Sequence, residues 1–179
     1  MTFQKTVRYD QAFGVIGEIR FDGPLRAGSF ILATPGNDAT VLAANIVGRA
    51  FTFIAGKPGQ VQAGGTGAFA GIMGNPKVYP YWGGFAGSDT TPQALFVPNG
   101  IAAEFVTMGF IVVKVDKAAN PEDLIAYKQT DGSLTVVAAP AAGAEPTVPD
   151  GYKLVPNAHV DRYPQTAADG GLVLVRLTN

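Results

Sequence analysis

No cysteine occurs anywhere in the 179 residues. That absence excludes a disulfide framework, a thiolate zinc site, an iron–sulfur cluster and a cysteine nucleophile. Histidine is nearly absent too: His159 stands alone, so no site built on two imidazoles is possible. Charge of either sign is scarce, at 15 % of residues, against roughly 25 % in an average soluble domain. Lys and Arg number 13 against 14 Asp and Glu, a formal net charge of −1. No basic field draws in a polyphosphate backbone, so nucleic acid is not an expected partner. Long apolar runs are missing as well. Stretches such as Ile111–Val113 and Leu172–Val175 fall far short of a membrane span, and no membrane is expected as a partner. The opening Met1–Asp10 has no apolar core of a secretory signal, and no Asn-x-Ser/Thr acceptor occurs. The expectation is a chain made and folded in a cytosol.

What the chain has is apolar residues and turns. Hydrophobic residues make up 47 %, with Gly at 23 and Pro at 13, whereas a disordered chain is poorer in the first and richer in charge. The hydrophobic period is mostly two. Leu172–Leu177 follows the turn signal Asp169-Gly170-Gly171 and reads as a buried C-terminal strand. Phe110–Val115, Val47–Ile54 and Ala103–Met108 are three further strand candidates. Asp131-Gly132 predicts a hairpin with a two-residue type I′ turn, setting Tyr127 opposite Val136 and Gln129 opposite Leu134. Ile125, Tyr127, Leu134 and Val136 then share an apolar face, with Lys128, Thr130, Ser133 and Thr135 on a polar one.

Helical signals are sparse. Asn120-Pro121-Glu122-Asp123 resembles a capped helix start, and nothing after it sustains a 3.6 period, so one helical turn or a plain turn is expected. Segments 56–100 and 138–152 are punctuated by Gly and Pro, and the second reads as a surface loop. The fold class is all-β: a single domain spanning 1–179, a barrel or sandwich with long Gly/Pro-rich loops and little helix. Residues 1–10 form either an N-terminal arm that docks elsewhere or the first strand.

No chemistry emerges from the motifs. Gly64-Gly65-Thr66-Gly67 is not a phosphate loop, because the Gly-Lys pair at Gly56-Lys57 is followed by Pro58 rather than Ser or Thr. A backbone that must turn tightly explains it better. His159 and Asp161, two apart, would share a face of a strand, yet no nucleophile elbow accompanies them. Glu122 and Asp123 are helix-start residues before they are a carboxylate pair. No enzymatic activity, cofactor or metal is expected. Tyr79, Tyr81, Trp82 and Phe85 crowd a Pro/Gly-rich stretch, where they either cover one end of the domain or contact a partner. With Phe3, Val7 and Tyr9 of the N-terminal segment they are the candidate protein-contact residues. Sugar stacking on Tyr81 and Trp82 gives an alternative reading, a carbohydrate-binding β-sandwich module.

Taken in order, Phe3–Val7, Gln11–Glu18, Val47–Phe51, Gly64–Gly67, Val97–Gly100, Met108-Gly109 with Phe110–Val115, the Asp131-Gly132 hairpin and the C-terminal strand resemble the decoration, or structural cement, proteins of tailed-bacteriophage capsids. The chain departs from that pattern at Gly71–Pro76, where relatives tend to be basic or aromatic, and in the loop 138–152. The resemblance implies a virion structural protein without catalytic residues or cofactor. It implies binding to the outside of the major capsid lattice, stabilisation of the head against DNA pressure, and synthesis in the bacterial cytoplasm. Self-association as a dimer or trimer is the accompanying expectation. Low charge, aromatic loops and available strand edges suit a protein that buries uncharged surface on a lattice.

Overall fold

Gly109 does not separate two strands, as the sequence suggests; it lies inside one. In the computed structural model, which describes residues 14–75, 97–162 and 166–178, Ala102–Val115 is a single strand of 14 residues. Gly109 keeps it continuous by taking φ +124°, a conformation open to glycine and costly for residues with a Cβ. Counted along the chain, the described elements are β1 (Ile19–Arg20), β2 (Arg26–Leu32), α1 (Asp38–Ala44), β3 (Ala50–Phe53), β4 (Gln60–Ala63), β5 (Phe69–Met73), β6 (Ala102–Val115), β7 (Leu124–Lys128), β8 (Leu134–Val137), β9 (Tyr152–Arg162) and β10 (Gly171–Leu177).

The long strand β6 belongs to two closed circuits. Its C-terminal half pairs with β10, and the ladder runs on through β9, β7 and β8 back to β6 at Val115↔Leu134. Its N-terminal half pairs with β2, and that ladder runs through β4, β3 and β5 back to β6 at Ile72↔Val106. The all-β domain is therefore two small barrels sharing one staff. Closure removes open strand edges, so among the described residues the expectation of available edges is corrected: the ladders close on themselves.

Each circuit encloses its own core. The first is aliphatic, with Ile111, Val113, Val115, Ile125, Leu134, Val136, Val160, Val173, Val175 and Leu177 around Tyr127. The second packs Leu32, Val61, Met73, Phe51 and Phe105, with Phe30 and Phe53 against them. Strand alternation welds the two, because Ala50, Ile72 and Val106 leave the second barrel's interior and enter the first core. A wall of the smaller barrel thus closes the larger one.

The hairpin forms with a different register. Tyr127 lies opposite Leu134 and Ile125 opposite Val136, a shift of two that keeps the expected residues on one face. The loop has four residues, Gln129–Gly132, closed by Gly132 N–H donating to Lys128 O at 2.8 Å. Gly132 takes the left-handed conformation and Asp131 does not; Asp131 Oδ1 instead accepts from Ser133 N–H and Oγ. The other face is only partly open as expected: Lys128 and Thr130 are exposed, but Thr135 and Ala126 are buried there. The Asn120–Asp123 segment is a plain turn, with Glu122 at φ +70°. Of Val47–Ile54, Ala50–Phe53 forms strand. Segment 56–100, punctuated by Gly and Pro, contains β4 and β5. Residues 138–151 carry no helix or strand.

Candidate functional site

Three local arrangements hold this double barrel and shape its outside. The first joins the barrels. Gly65 N–H donates to Gln129 O at 2.6 Å, Gly64 N–H to Ala50 O at 3.0 Å, and Ala50 N–H to Gly132 O at 2.9 Å. Gly64 and Gly65 have φ of +63° and +82°, and a Cβ on Gly64 would sit 2.6 Å from Gln129 O. The glycine patch is a backbone seam between β4 and the β7–β8 loop, consistent with tight turning rather than phosphate binding. Arg49 crosses the same seam, donating to Ala43 O of α1 at 2.9 Å and to Asp131 O at 3.1 Å. Burial pulls its guanidinium below the usual range, while Asp131 opposes that shift.

The second arrangement anchors residues 97–101. Asn99 Oδ1 accepts from Thr34 N–H and Asn45 Nδ2, and Asn99 Nδ2 donates to Thr34 O at 2.8 Å. Thr34 Oγ1 bonds Asn45 Oδ1 and accepts from Ala63 N–H. Asn45 and Thr34 are buried, so this small network satisfies groups whose burial alone would cost about 1–3 kcal/mol each. It ties the end of β2, the end of α1 and the entry to β6 together.

The third lies on the outer face of the first barrel. His159 and Asp161 do share a face of β9, since Val160 between them enters the core. Their partners are structural. His159 lies opposite Arg176 in the β9–β10 ladder. Asp161 accepts from Arg162 Nε at 2.6 Å and lies 3.7 Å from Arg176. Arg176 reaches Glu122 at 3.4 Å, and Arg162 reaches Asp22 at 2.9 Å. The hydrogen bond that Arg162 donates to Asp161 is the largest influence raising the Arg162 guanidinium, with Asp22 adding to it. Asp123, beside Glu122, is buried and does another job: Oδ2 accepts from Asn120 N–H and Oδ1 from Ala139 N–H. Glu122 and Asp123 therefore form no acid–base pair. Among the described residues, no group of His, Asp and Glu is arranged to hold a metal ion, and no helix is long and apolar enough to cross a membrane.

The family model of the structural cement protein (E217 gp24/Pam3 gp6) matches residues 3–178. The chain belongs to the phage structural cement protein family. Among solved structures, a chain from the capsid of Myoviridae phage XM1 is similar in fold, with a TM-score of 0.60 at 19 % identity, covering 100 % of this chain and 99 % of that one. No relative is found among the curated proteins.

In this cement protein several of the resemblance motifs carry the contacts just described. Gly64–Gly67, Ala50 and the Asp131-Gly132 loop build one seam, and Asn99 the polar anchor. The expected contact residues Phe3, Val7, Tyr9, Tyr79, Tyr81, Trp82 and Phe85 lie outside the described residues. Sequence reasoning missed a different residue. Phe21 is 81 % exposed. Its signal was there to read: an aromatic placed directly before Asp22-Gly23-Pro24, a run that makes a turn and offers no core to enter.

Proposed function

We propose that this protein binds the outside of the major capsid lattice of a tailed phage and stabilises the expanded head against the pressure of packaged DNA. The match of the family model over residues 3–178 carries this reading. The likeness of fold to a chain from a phage capsid supports it. A protein that binds the expanded shell and not its precursor stabilises that shell by mass action. Repetition over identical lattice sites multiplies a modest single contact through avidity. Two closed barrels welded by a backbone seam provide a stiff body for this, one that loses little freedom on docking. The reading includes a dimer or trimer bridging neighbouring shell subunits, synthesis in the bacterial cytoplasm, and contacts through the aromatic segments named above. It requires no catalytic group and no cofactor.

The test is physical. Gradient-purified particles should contain the chain in a ratio to the major capsid protein near one or a simple fraction of lattice sites, by quantitative mass spectrometry. Heads assembled without it should rupture at lower temperature or after osmotic shock. Equal survival of the two kinds of head would sink the reading.

A further inference from the structure

One loop is out of proportion to its place in the ladder. β1 and β2 both run antiparallel to β6, with Arg20 opposite Phe110 and Arg26 opposite Met108. Gly109 alone separates those two partners, while Phe21–Leu25 separates Arg20 from Arg26. β10 occupies one edge of β6 at Phe110 and Ile111, and β5 occupies one edge at Phe105 and Val106. β1 and β2 must take the edges left to them, and the residues between are extruded as an outsized bulge. Bulges of this kind re-aim side chains and recur beside functional sites.

The extruded loop is fixed rather than slack. Asp22 is ion-paired to Arg162 at 2.9 Å, and the Arg162 guanidinium lies 5.7 Å from the centroid of the Phe110 ring. Gly23 sits on that same ring, where an added Cβ would come within 3.1 Å. Gly109 receives the far side of the loop: a Cβ there would lie 3.1 Å from Leu25 Cδ1 and 3.3 Å from Pro24 O. With both ends seated, Phe21 is held in water at 81 % exposure, next to a Leu25 that is 38 % exposed. A preorganised aromatic of this kind has already lost the freedom that binding would otherwise take from it.

We infer that the Phe21–Leu25 bulge is an anchor, and that Phe21 inserts into an apolar cleft of the capsid shell protein. This rests on the reading proposed above. The occupant follows from size and charge. A single Phe buries about 150–250 Å², far short of the roughly 1,200 Å² of a stable pair, so two copies meeting at this loop would not hold. A shell lattice that repeats the contact makes a small knob effective. Arg26, at the foot of the bulge, is exposed with no ion-pair partner among the described residues. The receiving cleft is therefore apolar with an acidic lip.

The experiment is co-sedimentation of the full chain with expanded heads assembled without it, comparing wild type, Phe21→Ser and Arg26→Ala. Phe21 is 81 % exposed, so Phe21→Ser should melt with wild type while its affinity for heads falls by about 30-fold or more. Arg26→Ala should bind more weakly, by about 3- to 10-fold, with less dependence on salt. Wild-type and Phe21→Ser proteins binding within 2-fold of each other would overturn the anchor. So would a change in oligomeric state on Phe21→Ser, which would make the occupant a second copy. Failure of the wild type itself to bind heads would overturn the cement reading, a result distinct from either.

Discussion

The two barrels share one strand and are built on different principles. The first is lined by Val, Ile and Leu on strands as long as the 11 residues of β9. β-branched side chains suit a pleated wall, so its interior fills by alternation alone. The second is lined by rings: Phe51 and Phe105 lie 5.1 Å apart between centroids, and Phe30 and Phe53 lie 4.9 Å apart, edge to face. Its strands β3 and β4 have four residues each, and its closure between β2 and β4 rests on two parallel pairs. Few, large, oriented side chains do there what many small ones do in the first barrel. The second barrel also needs outside help, from α1, the Asn99 network and the glycine seam.

That difference predicts unequal fragility. Phe105→Ala removes a ring touching both Phe51 and Phe30, and a cost of about 3–5 kcal/mol is expected. Ile125→Ala in the first barrel should cost about 2–4 kcal/mol, since aliphatic neighbours close a smaller gap more easily. Urea titrations followed by far-UV circular dichroism would compare them. One cooperative transition is expected in both, because β6 belongs to each core. A two-step curve for Phe105→Ala would mean that the barrels fold as separate units.

Gly132→Ala attacks the seam rather than either core. Its φ of +73° costs an alanine about 1–2 kcal/mol, and the new Cβ would lie 2.2 Å from Ala50 O. The loop must then withdraw, which endangers the bond from Ala50 N–H and leaves a buried polar group worth about 1–3 kcal/mol. A loss of about 2–4 kcal/mol is expected, with earlier hydrogen exchange at Ala50 and Gly65. Protection unchanged at both amides would show that the barrels are joined by side chains alone.

The same contrast explains what could be read from the sequence. The first barrel announced itself: Leu172–Leu177 and Phe110–Val115 are nearly unbroken apolar runs whose consecutive residues are buried, and the hairpin alternates on either side of its turn. The second barrel did not. β4 and β5 lie within Gly-rich sequence, and α1 has seven residues, under two full turns of the 3.6 period on which recognition depends. Its cap is Asn37, with Oδ1 accepting from Thr40 N–H at 2.9 Å, and it was not read from the sequence. The two-residue turn at Asp131-Gly132 was overruled by tertiary contact, since the loop docks on Ala50 and Arg49 rather than standing free. Phe21 carried one local signal, its place directly before the Asp22-Gly23-Pro24 turn, and that says nothing of how the loop is held. What marks it is register: only the pairing of β1 and β2 with β6 reveals that the loop is extruded.

The smallest expected effect is the most diagnostic of how the first barrel is filled. Tyr127 is the one aromatic in its core cluster and is fully buried. Its hydroxyl has no hydrogen-bond partner among the described residues, and burial pushes the phenol above its ordinary 10.0. The sign follows from linkage. Below pH 10 the phenol is neutral in both states and its burial is undisturbed. Above that, the unfolded chain releases the proton while the folded one retains it, so stability falls as pH rises through the window above the ordinary value. Tyr127→Phe keeps the ring against Phe69, 6.3 Å away between centroids, and removes the unpartnered oxygen. It should raise stability by about 1 kcal/mol at neutral pH and flatten the decline above pH 10, measured by urea unfolding at each pH. A loss of stability instead would mean that the hydroxyl is satisfied by an internal water, and that the aliphatic barrel, like its aromatic neighbour, depends on a polar anchor.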